Sequence, residues 1–248
     1  MYLFALLLHL LLHSALSCIQ SKIDNAMKNE INLEEVTFRT SNSSDALEHF
    51  RAIQESHKEV SKFIPWVQGM DKWTLERHET YLKNMSADTS EVKNYLFFHN
   101  ETLVGVGHLK PAIYKHSAEI SYWVRNGYDG HGLGLFIAKT MSQKAYTNFG
   151  YRHVIIQTDR NNVGSKKVAE KLGAYVALVT GYYTHQGEIS NMITWVLPAP
   201  IAKLGSRFSS SYEFDPVAPN TMGVYRMDYD GKLANYMAAD KGLERKKG

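Results

Sequence analysis

The residues with the most evident chemistry lie in ISYWVRNGYDGHGLGLFIAK, Ile120 to Lys139, where Gly130, Gly132 and Gly134 follow a strand-like run and open a helical pattern. Glycines at such a junction let the backbone turn tightly and leave amide N–H groups pointing outward, and the helix start adds about half a positive charge. That arrangement holds phosphate or pyrophosphate. Two common phosphate motifs do not fit. A dinucleotide fold calls for GxGxxG after an early strand, whereas the spacing here is GxGxG, the turn follows three or four strands, and the next acidic strand end, Asp159, comes late. A nucleoside triphosphate loop calls for Gly-Lys-Ser or Gly-Lys-Thr, which is absent. A helix start with tight turns and no ligand is the plain alternative.

Other chemistries find less support. The histidines form no H-E-x-x-H pattern, and the single cysteine, Cys18, excludes a thiolate cluster or an intramolecular disulfide, so no metal is expected. A formal net charge of +3 with no early block of Lys and Arg argues against nucleic acid as a partner.

The elements around the glycine turn follow from hydropathy period. Val36 to Arg39 reads as a strand, and SNSSD can cap a helix through Ser43 or Ser44. Leu47, Phe50, His57 and Val60 recur at helical spacing until Pro65, and Asp71 is placed to cap a second helix with Leu75, His78, Leu82 and Met85 on its apolar side. Tyr95 to His99 and Leu103 to Leu109 read as a hairpin about Asn100 and Glu101, and Ala118 to Val124 as a further strand. A helix from Leu133 to near Gly150, a strand from Val154 to Asp159 and a helix from Asn162 to Leu172 follow, the last stopped by Gly173. Tyr175 to Thr180 and Met192 to Leu197 supply two last strands. This order predicts an α/β (α+β) fold, a central mixed sheet of about seven strands with helices on both faces.

The ends are less regular. Met1 to Leu12 is apolar and is followed by small residues, like a secretory leader, but it has no Lys or Arg before it and is short for a membrane span. Either it is an export or anchoring segment, with membrane contact through residues 1–17, or Met27 is the true start. Residues 1–32 are thus read as a leader and polar lead-in, 33–197 as the domain, and 198–248 as an extension with room for a hairpin about Asp230 and Gly231. The lone cysteine favours a reducing, cytoplasmic setting over an exported one.

On the glycine turn the chain resembles the GCN5-related N-acetyltransferase (GNAT) superfamily, and within it the ribosomal-protein N-terminal alanine and serine acetyltransferases. The family's coenzyme loop has Gln or Arg, two residues, Gly, one residue, then Gly or Ala; Asp129, Gly132 and Gly134 stand at those places, with the first a departure. His131 holds a place often taken by Lys or Arg. NVGSKKVAEKLGA, Asn162 to Ala174, also fits this branch through Asn162, Ser165, Val168, Lys171, Leu172 and Gly173, as do FIPWV and AEISYWV. The resemblance covers about 165 of 248 residues.

It implies an acyl-CoA N-acyltransferase fold and transfer of an acetyl group from acetyl-CoA to a primary amine, most readily a protein N-terminal α-amine, with a small amine such as a polyamine or antibiotic, or a non-catalytic coenzyme-binding module, as alternatives. The coenzyme role falls to Ser121, Tyr122, Trp123, Val124 and Arg125 along the strand, to Gly130, His131, Gly132, Leu133 and Gly134 at the turn, and to Asn162 and Lys167 beyond it. Glu119 shares a strand face with Ser121 and Trp123 and is the candidate base, the alternative being an ion-paired strand residue. Ser165 is the candidate proton donor to the coenzyme sulfur, or else a helix-start residue packing near Asn162. Trp66, Trp73 and Tyr122 are candidates for lining the acceptor cleft, or are core aromatics.

Overall fold

The computed structural model describes residues 31–87, 90–183 and 189–200, together with the backbone at 226–227 and 233–234. The leader and most of the C-terminal extension lie outside the described residues. Elements follow in the expected order: β1 (Thr37–Thr40), α1 (Ala46–Val60), α2 (Leu75–Ser86), β2 (Lys93–His99), β3 (Thr102–Pro111), β4 (Ser117–Val124), α3 (Leu133–Phe149), β5 (His153–Asp159), α4 (Val163–Leu172), β6 (Tyr175–Tyr183) and β7 (Ile189–Pro198). The seven strands form one mixed sheet in the order β1-β2-β3-β4-β5-β7-β6, antiparallel except at β4 and β5. Arg226–Met227 and Leu233–Ala234 pair antiparallel as the hairpin expected about Asp230 and Gly231. Among the described residues, no helix is long and apolar enough to cross a membrane.

Alternation along the strands gives the sheet two packed faces. Ala118, Ile120, Tyr122 and Val124 of β4 join a core with Leu133, Ile137 and Met141 of α3 and Val168 and Ala169 of α4. Trp123 faces the other way, into a core with Ala52 and Ile53 of α1, Leu96, Leu103 and Val106. Helix α3 lies very close to β3: a Cβ at Gly105 would come within 2.5 Å of Ile137 Cδ1, and one at Gly107 within 2.9 Å of Met141. Glycine at these two positions is therefore what lets the helix seat on the strand.

Three local expectations are corrected. The cap before α1 is made by Asn42, whose side chain accepts from the Ser44 N–H while Asp45 accepts from the Asn42 N–H, closing a 3-10 turn ahead of the helix. Thr74, not Asp71, caps α2, because Asp71 sits in a separate 3-10 turn, Met70–Lys72. Leu47 is exposed, and the buried stripe of α1 is Ala46, His49, Ala52, Ile53 and Ser56. Small and polar residues fill that stripe because the helix is anchored to the sheet by charge as well as by apolar area.

Candidate functional site

Strands β4 and β5 pair only over Ser117–Glu119 against His153–Ile155, although both continue, to Val124 and Asp159. Beyond Glu119 and Ile155 the two strands part. At the ends of the β3–β4 ladder the Arg125 N–H donates to the Val104 carbonyl and the Ala112 N–H to the Ser117 carbonyl. With the β3–β4 register unbroken between them, odd-numbered residues of β4 direct their backbone groups to β3 and even-numbered ones toward β5. The backbones of Tyr122 and Val124 thus face the gap.

Helix α3 begins just past this opening. Gly130 and Gly132 have φ of +87° and +83°, in the left-handed region that favours glycine, and Gly132 is the residue preceding α3. Its first-turn N–H groups have no partners within the helix. Leu133 is buried in the core, so only its backbone is available at the turn. Asp129 and His131 are both exposed, so the Asp129 carboxylate is in contact with water.

Helix α4 starts on the same side. The Asn162 side chain accepts from the Ser165 N–H at 3.1 Å, a helix cap, and the Ser165 hydroxyl lies 3.1 Å from the Tyr122 hydroxyl. Burial pushes the Tyr122 phenol up to about 12, with the Ser165 contact lowering it slightly, so it keeps its proton at neutral pH. Lys167 is exposed. Asp159 is engaged locally, accepting from the Asn161 N–H and the Ser190 hydroxyl.

The opposite face has a different character. Glu119, Ser121 and Trp123 do share it, and across β3 they meet Lys110, His108 and Val106. Glu119 is ion-paired with Lys110 at 3.1 Å. Trp66 stands edge-on to His108, with centroids 4.6 Å apart, and Trp73 packs on Tyr81 and His78. Tyr122 is on the other face, in the α3 core, so the structure brings Trp66 and Trp73 to one side of the sheet and Tyr122 to the other. His49 and His78 meet through their Nδ1 atoms at 3.1 Å, so one donates and the other accepts. Burial lowers His49 to about 3, His78 to about 4 and His108 to about 3. The Nδ1 of His108 and Nε1 of Trp123 are buried with no hydrogen-bond partner among the described residues.

Arg125 closes this face. Its guanidinium donates twice to Glu55, at 2.7 and 2.8 Å, once to Glu48 at 2.6 Å and once to the Leu103 carbonyl at 2.9 Å. Burial alone would lower its pKa, but these bonds more than offset that and raise it. With its side chain tied to α1 and its N–H to Val104, Arg125 fixes the end of β4 and leaves neither group for a coenzyme. Sequence reasoning missed this clamp and His108, because Glu48 and Glu55 lie 77 and 70 residues from Arg125 and no local spacing connects them. Among the described residues, no group of three or more His, Cys, Asp or Glu could hold a metal ion.

Solved structures share this architecture. The ribosomal L7/L12 alpha-N-protein acetyltransferase RimL, in complex with coenzyme A, aligns over 66% of this chain and 94% of its own with a TM-score of 0.60 and 15% identity. The ribosomal-protein-S5-alanine acetyltransferase from Vibrio fischeri aligns over 68% and 94%, with a TM-score of 0.56 and 13% identity. The microcin C7 self-immunity acetyltransferase MccE, in complex with acetyl-CoA and AMP, aligns over 69% and 97%, with a TM-score of 0.59 and 15% identity. At these identities the likeness shows the fold alone. No curated protein sequence matches the chain significantly. The family described as acetyltransferase (GNAT) domain, however, matches residues 35–175, more than half of the chain, and the chain therefore belongs to the GNAT acetyltransferases and is an acyltransferase.

Proposed function

We propose that this chain transfers the acetyl group of acetyl-CoA to the α-amine at a protein's amino terminus. The observation that carries the reading is the parting of β4 from β5 beyond Glu119 and Ile155, with the backbones of Tyr122 and Val124 facing the gap. An N–H group directed into that gap can polarise a thioester carbonyl. The N–H groups from Gly132 to Gly134, with the α3 dipole behind them, suit a pyrophosphate, and exposed Lys167 suits a further phosphate. Acetyl-CoA supplies the activated acyl carbon. The amine nitrogen forms the new C–N bond and sheds a proton; the C–S bond breaks and the sulfur gains one.

On the acceptor side, Trp66 and Trp73 offer apolar walls, and Glu119 is the carboxylate placed to take the amine proton, directly or through water. Charge on this face favours an α-amine over a polyamine. Glu48 and Glu55 are neutralised by Arg125 and Glu119 by Lys110, so the carboxylates there are already matched to cations of the protein. An α-amine, with a reference pKa near about 8, also needs only modest help to reach its neutral form. By their names RimL is an alpha-N-protein acetyltransferase and the Vibrio fischeri enzyme acts on an alanine of ribosomal protein S5, whereas MccE confers self-immunity to a microcin. Consumption of acetyl-CoA and the single cysteine, Cys18, agree with a cytoplasmic setting.

The test is calorimetric titration of acetyl-CoA into the full-length protein and into Gly132→Glu, followed by an acceptor panel. One saturable site weakened at least about 100-fold by Gly132→Glu is expected, since the substitution strains a left-handed position and sets a carboxylate at the phosphate site. Peptides with free Ala or Ser amino termini should be acetylated, and the same peptides with blocked termini and an internal Lys should not. Turnover of spermidine in preference to every peptide would overturn the acceptor assignment, and absence of acetyl-CoA binding by folded protein would overturn the whole reading.

A further inference from the structure

We infer that the acceptor peptide carries a lysine or arginine at its second or third residue, and that a recess beside Glu119, lined also by Glu91, receives that side chain. The inference rests on the acetyl-transfer reading above and adds to it a preference among amino termini.

The recess has a volume of about 200 Å³ and is formed by Glu91 and Val92 ahead of β2, Lys110 to Ile113 at the end of β3, and Glu119 of β4. Sites for drug-sized ligands run to about 300–1,000 Å³, so this one has room for a single long side chain. Backbone bonds hold its walls in place. The Ala112 N–H donates to the Ser117 carbonyl and the Ser117 N–H to the Tyr114 carbonyl, closing the β3–β4 turn, while the Ser90 hydroxyl donates to the Val92 carbonyl.

The lining sets two carboxylates against one ammonium. Lys110 and Glu119 are paired at 3.1 Å, each about a quarter exposed, which leaves Glu91 over. Glu91 is exposed, and among the described residues its carboxylate has no hydrogen-bond or ion-pair partner. Ile113, 55% exposed, adds apolar surface together with Val92 and Pro111. Lysine and arginine match both features, because their stems lie on apolar surface while the charged tip stays at the edge in water. The tip then meets Glu91. An acidic side chain would instead face two carboxylates, and a polyamine would bring further ammonium groups beside Lys110 with no carboxylate left to meet them. Reach limits the position. With the α-amine at Glu119, successive residues of an extended acceptor are about 3.3 Å apart, so the second and third are those whose long side chains can enter the recess.

The experiment measures kcat/KM of the full-length protein at saturating acetyl-CoA for peptides with a free amino-terminal Ala and Lys, norleucine or Glu at the second residue, and for the same set at the third. Norleucine keeps the aliphatic stem of Lys and lacks its charge. At one of the two positions Lys should be favoured about fivefold over norleucine and about 25-fold over Glu, and the first ratio should approach one in about 0.5 M salt. Glu91→Gln should bring the Lys-to-norleucine ratio below about twofold, and Glu91→Lys should turn the Lys-to-Glu preference round. Each ratio compares two peptides on one variant, so a general loss of activity cancels. Equal use of the three side chains at both positions, or a Lys preference that persists in Glu91→Gln, would overturn the inference and leave amino-terminal acetylation standing. Turnover of none of the peptides by folded protein that binds acetyl-CoA would instead defeat the acceptor reading, and the inference with it.

Discussion

The two faces of β4 are built on different principles. Toward α3 and α4, the strand shows Tyr122 and Val124 to a cluster whose polar parts are few and close in sequence: three glycines at one helix start, Asn162 and Ser165 at another. Toward α1 and α2, it shows Trp123 and Arg125 to three buried histidines, Tyr81 and two carboxylates from distant segments. The first face is an arrangement of backbone groups that needs little charge. The second hides many polar groups and must keep them neutral or paired, so it is the more vulnerable to acid and to substitution.

Acid should have the largest effect. His49, His78 and His108 titrate at about 3, 4 and 3 in the folded protein because burial disfavours the charged ring. In the unfolded chain they titrate near about 6.5. Between these values the unfolded state binds more protons, so stability is full above about pH 6.5 and falls as the pH drops, by up to about 1.4 kcal/mol per pH unit for each histidine. Denaturant midpoints measured from pH 7.5 to 5, before most carboxylates titrate, should show this slope, and His108→Gln should remove about a third of it. An unchanged slope in that variant would mean that water reaches His108 and that the two faces differ less than their packing suggests.

Arg125→Ala should come next, at a cost of about 2–4 kcal/mol in chemical denaturation. It strands Glu48 and the Leu103 carbonyl in partly buried positions, while Glu55, with its side chain about half exposed, can turn to water and relieve part of the loss. Since the clamp holds the end of β4 against α1, coenzyme affinity should weaken together with stability. A variant that unfolds more readily yet binds acetyl-CoA as tightly as wild type would show that the gap is shaped by the β3–β4 ladder alone.

The contrast also explains what the sequence made legible. All seven strands and four helices follow from local period and punctuation, as in the hairpin whose turn residues, Asn100 and Glu101, both take positive φ. The glycine turn and the Asn162 cap are legible because their parts are neighbours in the chain. The position of Tyr122 was not: alternation puts it opposite Trp123, but nothing local tells which face meets α3. Likewise Leu47 reads as core by period, while the actual stripe of α1 is set by Glu48 and Glu55 reaching Arg125 and by the Asn126 N–H donating to Ser56. Long-range charge pairing leaves no periodic trace.

The smallest effect on stability should come from the pair that most sharpens the reading of the acceptor face. Lys110 and Glu119 are 3.1 Å apart, each with roughly a quarter of its side chain exposed, so breaking the pair through Lys110→Gln or Glu119→Gln should cost less than about 1 kcal/mol in either case. Catalysis should separate what stability does not. If Glu119 takes the amine proton, Glu119→Gln lowers kcat by about 100-fold or more at saturating acetyl-CoA, because the amide cannot accept a proton, whereas Lys110→Gln leaves the carboxylate in place and kcat within about threefold. Equal, small losses of kcat in both variants would make the pair a strand-to-strand tie, and the proton would then have to leave by another route, since burial holds His108, the residue paired with Ser121 on the same face, too weakly basic to take it.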